Sequence, residues 1–398
     1  MNMSERISGF QASPIRRLVP YANEAKQRGI KIYHLNIGQP DIKTPPHVIE
    51  AIRNFDKEII AYGQSEGELA LRKGLLEYYQ SFGIHISLGD VMITTGGSEA
   101  IQFALMTLCD PDDEVIIPEP FYTNVASFAR SAMVRLVPVT STMDKGFSLP
   151  PIEDFEKRIN AKTRAILLCS PNNPTGYIFS PEEFEAILAL AERHDIFLIV
   201  DEVYREFCYD HHSFTSVLRY PQYSDRVIVI DSFSKRYSMC GSRIGALISR
   251  NHGVLEGAMK LAQARLCPPD VEQVAAIAAL KTPRSYLDEV RNEYQKRRDF
   301  IVQALRSIDN VRCTVPNGAF YLVAKLPVDN AEKFATFLLR DFHLNGETVM
   351  VAPAEGFYVT KDLGKDEVRI AYVLNVEDLA RAIACLKAAL DVYPGTAR

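Results

Sequence analysis

Between residues 90 and 250, short apolar, β-branched runs alternate with longer stretches whose hydrophobic residues recur at helical spacing. The runs at 91–95, 114–117, 134–139, 165–169, 197–200, 227–230 and 244–248 read as strands. Their near-continuous hydrophobicity is that of strands covered on both faces. Stretches at 100–108 and 181–194 read as intervening helices. This alternation predicts a mostly parallel sheet of about seven strands, an α/β fold. Upstream, a helix is expected over 15–28, stopped by Gly29, then a strand over 31–37 and helices over 45–55 and 69–82. Beyond 250 the texture changes. An alanine-rich stretch at 271–280 precedes a long charged helix over 283–305. A smaller α/β unit follows, with strands at 311–315, 320–324, 348–351 and 367–371 and helices over 331–342 and 376–390.

At 398 residues the chain exceeds one ordinary compact domain, so two are expected. A net charge of −5 gives no reason to expect nucleic acid or a membrane surface as partner. The seven cysteines are scattered singly, which reads as reduced thiols and neither a disulfide frame nor a metal site. No apolar run approaches the roughly 20 residues that span a bilayer, and the N-terminus lacks the apolar core of a signal peptide. A soluble, cytoplasmic protein is the expectation.

In parallel sheets function gathers at the carboxyl ends of the strands, and Ser98, Tyr122, Asn173, Asp201 and Lys235 all fall there. The 227–230 strand runs into Asp231-Ser232-Phe233-Ser234-Lys235, with Arg243 after a short loop. A lysine leaving a buried strand is poorly solvated, which is expected to lower its amine pKa and make it a nucleophile for carbonyl carbon. Ser232, Ser234 and Arg243 are the donor types that hold a phosphate dianion. An imine-forming amine beside a phosphate anchor suggests pyridoxal phosphate (PLP). Gly96-Gly97-Ser98-Glu99 at a helix start is a second anion site.

Asp201, at the mouth of an apolar strand, reads either as a helix cap or as a carboxylate facing the PLP ring nitrogen. Tyr204 and Asn173 read as a core aromatic and a turn cap, or as two groups on the ring oxygen. Tyr122 offers a flat face for stacking. Arg369 lies inside an apolar strand, where its partner is either a carboxylate of the protein or the α-carboxylate of a substrate. Gly38 is either a plain turn glycine or a point of close ligand approach.

These residues, in the order Asn173-Pro174-Thr175-Gly176, Asp201-Glu202-Val203-Tyr204, Ser232-Phe233-Ser234-Lys235 with Arg243, and Arg369-Ile370, resemble the class I/II aminotransferases of PLP fold type I. Gly38-Gln39-Pro40-Asp41, Tyr62 with Gly67, and Gly97-Ser98 extend the resemblance over nearly the whole chain. It implies an aspartate aminotransferase-like fold, with a large PLP-binding domain over 45–285. Residues 1–44 and 286–398 would form a small domain that closes over the substrate. It also implies catalytic roles for Lys235, Asp201 and Tyr204, with Lys235 bonding the cofactor and Asp201 pairing with its pyridinium. Tyr204 and Asn173 would bind the ring hydroxyl, Tyr122 would stack on the ring, and Gly97, Ser98, Ser232, Ser234 and Arg243 would hold the phosphate. Arg369 and Gly38, with Tyr122 and Asn173 nearby, would receive the substrate.

Tyr62 would reach the phosphate of a neighbouring subunit, which implies a homodimer with shared active sites. The implied activity moves an amino group from an L-amino acid to a 2-oxo acid, with aspartate and 2-oxoglutarate the commonest pair. Arg16 and Arg265 are the candidates for binding a distal carboxylate. Aromatic or alanine-type substrates, or a carbon–sulfur lyase of the same fold, are alternatives. A PLP-binding regulator is disfavoured, because few residues precede Gly38. The chain departs from the family pattern at Arg236-Tyr237 and at Ser242.

Overall fold

The computed structural model describes residues 4–8, 10 and 16–397. Strands are numbered in chain order: β1 (Lys31–His34), β2 (Val91–Thr94), β3 (Glu114–Glu119), β4 (Arg135–Thr140), β5 (Thr163–Cys169), β6 (Phe197–Asp201), β7 (Val227–Ser232), β8 (Gly245–Ile248), β9 (Arg312–Cys313), β10 (Tyr321–Lys325), β11 (Glu347–Met350), β12 (Ala352–Pro353) and β13 (Glu367–Ala371). Seven of them form the expected sheet, in the order β2-β8-β7-β6-β5-β3-β4. β8 alone runs antiparallel, to both of its neighbours.

Alternate residues of this sheet enter two separate cores. Ile93, Ile116, Ile166, Leu198 and Val229 pack on one face, and Met92, Val115, Leu167, Ile199 and Ile228 on the other. Both faces are therefore covered, which explains why the strands carry no polar alternation.

A third core gathers Leu18, Ala22, Ile32, Tyr33 and Leu35 with residues from Val290 to Leu390. Two smaller sheets lie there. β1 pairs in parallel with β11, Tyr33 opposite Val349, and the order β12-β13-β10-β9 places Arg369 between Val323 and Ala352.

Several boundaries differ from the sequence expectation. The strand expected over 31–37 stops at His34, because the chain turns away to bring Gly38 against Tyr321. The helix expected from 15 begins at Val19, next to Pro20 in its first turn, and Ile15 lies outside the described residues. The helix expected over 100–108 is Gly96–Leu108 and takes in the glycine pair. The strand at 311–315 shrinks to the two residues of β9. Helices Asn124–Ser131, only eight residues long, and His252–Arg265, weakly patterned, were not anticipated. All seven cysteines are unpaired, and among the described residues no helix is long and apolar enough to cross a membrane.

Candidate active site

Lys235 sits where β7 ends and the chain turns into the four-residue helix Phe233–Arg236. Ser232 caps that helix, its Oγ accepting the Ser234 N–H at 3.1 Å and lying 2.9 Å from Ser234 Oγ. Lys235 Nζ donates to the Gly38 carbonyl at 2.9 Å and lies 5.9 Å from the ring centres of both Tyr204 and Phe320. The expected fall in its pKa is not found. Burial does push the amine down, but Tyr321, Cys240 and Tyr122 outweigh it and carry the group above its ordinary value. The sequence reading counted desolvation and missed the phenols and thiol that surround the amine.

Asp201 ends β6, beside β7 in the sheet. Among the described residues, the one hydrogen bond to its carboxyl comes from the Val203 N–H at 3.2 Å. Burial pushes this carboxyl up to about 7, with the Lys235 ammonium among the charges that pull it back. The two groups thus belong to one pocket. Tyr122 belongs to it as well: burial raises its phenol, and Lys235, Tyr321, Arg369 and Asp201 all act on it.

Two corners flank this centre. In the first, Gly96 has a φ of +76°, and a Cβ there would come within 2.2 Å of the Arg243 guanidinium. Gly245 has an equivalent role, since a Cβ on it would fall 2.6 Å from the Gly97 nitrogen. The glycines let Arg243 and β8 press against the start of the helix Gly96–Leu108, whose first-turn N–H groups lack helical acceptors. Arg243 lies 3.5 Å from Ser234 Oγ and donates to the Cys240 carbonyl at 3.0 Å. Gly97, Ser234 and Arg243 therefore converge beside the helical turn that carries Ser98, with Ser232 behind them as the helix cap.

In the second corner Arg369 is 2% exposed. The sequence left a carboxylate of the protein open as its partner, and among the described residues it has none. It donates to Asn173 Oδ1 at 3.1 Å and to the Asn36 carbonyl at 2.6 Å, its Nε is without a partner, and Tyr321 and Phe357 stack on it. The Asn173 amide nitrogen makes no hydrogen bond among the described residues. Tyr204 and Tyr321 join hydroxyls at 3.0 Å, and Tyr321 reaches the Gly38 carbonyl at 3.4 Å. A Cβ at Gly38 would overlap the Tyr321 hydroxyl.

Three further candidates have other surroundings. Arg265 is not a free cation: it pairs with Glu99 at 2.8 Å and donates to the Ser65 carbonyl. Arg16 is exposed. Tyr62, 81% exposed, lies outside the pocket with Ile59, Ile60 and Leu266 on a surface where the 57–68 segment crosses 265–273. The Lys57–Asp270 pair at 2.8 Å fastens that crossing.

Sequence reasoning missed Tyr321, whose ring in an apolar strand carries no polar signal. It also missed a buried ion cluster behind the site, in which Asp231 and Glu202 meet Arg236 and Arg205. Arg236 was visible only as an unusual residue after the lysine.

The family model for aminotransferase class I and II matches residues 30–386. An aspartate aminotransferase from Rhizobium meliloti is 30% identical, covering 98% of this chain and 96% of its own length. The solved aspartate aminotransferase from Thermotoga maritima is 32% identical with a TM-score of 0.89, covering 98% of this chain and all of that one. An alanine aminotransferase from Pyrococcus furiosus is 31% identical with a TM-score of 0.87, over 97% of this chain and 99% of its own. With this match over nearly the whole chain and this likeness of fold, the chain belongs to the class I and II aminotransferases, PLP-dependent enzymes of fold type I.

Proposed function

We propose that this enzyme moves the amino group of L-aspartate to 2-oxoglutarate, with Lys235, Asp201 and Tyr204 as the catalytic residues. The observation that carries the reading is Arg369, a buried guanidinium with no carboxylate partner among the described residues, set against the pocket of Lys235 and Asp201. A planar guanidinium in that state suits an α-carboxylate, which it grips by two parallel hydrogen bonds.

The residues fit PLP. Arg243, Ser234 and the N–H groups of Gly97 and Ser98 would hold its phosphate, beside Gly96 and Gly245, which leave no room for a Cβ. Asp201, a desolvated acid with a single donor, would hold the ring nitrogen, Tyr204 and Asn173 the ring hydroxyl, and Tyr122 a ring face. When bound, PLP serves as an electron sink that makes the substrate α-proton acidic. Lys235 Nζ would take that proton as base and return it as acid. Asp201 keeps the ring electron-poor, and Arg369 with Gly38 fixes the carboxylate so that the α-proton faces Nζ. With one water consumed and the amino group retained by the bound cofactor, the first substrate would leave as its 2-oxo acid, and a second 2-oxo acid would take up that amino group by the reverse steps.

Tyr62, Ile59, Ile60 and Leu266 would meet a second copy of the chain, placing Tyr62 at its neighbour's phosphate in a homodimer. The divided core supports a large domain over 45–285 and a small one from 1–44 and 286–398, joined by the unbroken helix Arg284–Arg306. A cytoplasmic location fits the unpaired cysteines.

A second reading, a monocarboxylic donor such as alanine or an aromatic amino acid, is favoured by the engagement of Arg265 with Glu99. A panel of amino donors against 2-oxoglutarate, followed at the cofactor absorbance, decides. Aspartate is expected to give the highest kcat/KM. Alanine or phenylalanine ahead of aspartate would replace the first reading with the second. Release of pyruvate and ammonia from cysteine without an acceptor would point to a lyase.

A further inference from the structure

Arg236 follows Lys235 in the same short helix, yet its side chain enters a different environment. Lys235 reaches Gly38, while Arg236 donates to Asp231 Oδ2 at 3.0 Å and stacks on Tyr78 at 4.3 Å. The other Asp231 oxygen accepts the Ser232 N–H at 2.7 Å. One carboxylate thus clamps the turn on either side of Lys235.

The clamp extends to the neighbouring strand. Arg205 approaches Asp231 at 3.7 Å and pairs with Glu202 at 2.9 Å, and Glu202 is the residue after Asp201. Tyr79 donates to Asp231 at 3.1 Å and accepts from Arg205. The four charged residues are at most 4% exposed. In so dry a setting their geometry is tightly specified, since any displaced member is left as an uncompensated charge.

We propose that Arg236 is a positioning residue: through Asp231 and Arg205 it locks together the two strand ends that carry Lys235 and Asp201. The inference rests on the assignment of those two residues as the catalytic pair. Their relative placement within the sheet is set by β6 and β7 only as far as the strand ends. Just past β6 the Glu202 N–H still bonds the Ile230 carbonyl at 2.9 Å, and the cluster adds the side-chain ties between the two turns.

The test compares holoenzymes carrying Arg236→Gln, Arg236→Lys and Tyr79→Phe, assayed well below their melting temperatures. A misplacement of the order of an ångström near the reacting atoms costs up to about a hundredfold in rate. Arg236→Gln is therefore expected to lower kcat about 10- to 100-fold with KM for the amino acid unchanged, and to raise the PLP concentration needed for half-saturation. Arg236→Lys, which keeps the charge, should restore most of kcat. Tyr79→Phe, which removes one hydroxyl and no charge, should lower kcat about threefold and keeps the test alive if Arg236→Gln does not fold. A lowered melting temperature with wild-type kcat, in either variant, would mean that the cluster only holds the fold together and would overturn the inference. Lys235→Ala serves as control. Normal turnover there would remove the catalytic assignment and the inference with it, whereas lost turnover there with wild-type kcat in Arg236→Gln would overturn the inference alone.

Discussion

Arg236 and Arg369 are almost equally buried, at 1% and 2% exposure, and both stack on aromatic rings. Their electrostatic surroundings differ. Arg236 meets Asp231 at 3.0 Å, within a cluster that also holds Glu202 and Arg205. Among the described residues Arg369 meets only the neutral oxygens of Asn173 and Asn36, and its Nε has no acceptor. A buried cation whose counter-charge is supplied by the chain belongs to the architecture. One whose counter-charge is missing is costly to keep, and a site that keeps it is built for an anion that arrives from outside.

The contrast breaks most visibly if Arg369 is replaced. Arg369→Ala should reduce kcat/KM for the amino acid by about a thousandfold, the equivalent of about 4 kcal/mol, through loss of a desolvated bidentate contact. Stability of the cofactor-free protein should hold or rise, because an uncompensated charge leaves the interior. A large loss of stability with unchanged kcat/KM would make Arg369 a structural residue.

The balanced cluster should behave in the opposite way. Although burial pushes Asp231 up, Arg205 and Arg236 hold it below the usual carboxylate range. Asp231→Asn takes the counter-charge from Arg236 and leaves Arg205 with Glu202 alone, and should destabilise the cofactor-free protein by about 3–5 kcal/mol in urea unfolding. A loss below about 1 kcal/mol would show that the cluster is solvated or can rearrange.

The smallest effect is on pH. Asp201 and Glu202 are both raised by burial to about 7, the first opposed chiefly by the Val203 N–H and the second by Arg205. Each folded carboxyl binds its proton more tightly than the unfolded one, so their contribution is complete below about pH 4 and erodes as pH rises through about 7. The cofactor-free protein should lose stability across that window, and Asp201→Asn should remove part of the slope, on the order of 2 kcal/mol. An unchanged slope in the variant would mean that Asp201 is not desolvated.

How much of this was legible in the sequence depended on how local each feature is. The seven strands and the Lys235 turn are written in contiguous residues, and the corner around Gly97, Ser234 and Arg243 in short glycine and hydroxyl runs. Arg369 stood out because a guanidinium inside Val368–Ile370 violates the apolar pattern of its strand. Its partners Asn36 and Asn173 lie 333 and 196 residues away, and nothing near it in the chain names them. The lysine's raised pKa comes from Tyr321, Cys240 and Tyr122, which only the fold brings together. The ion cluster was hidden for a different reason. Arg205, Asp231 and Arg236 look like surface charges until packing by Tyr78, Tyr79 and Phe233 removes them from water.

The most direct test of the account is to treat PLP-loaded enzyme with borohydride, digest it and locate the reduced cofactor by mass spectrometry. The account predicts the label on the peptide containing Lys235, and its loss when the enzyme is first converted to the amino form with excess amino acid. A label on another lysine, or none, would contradict it.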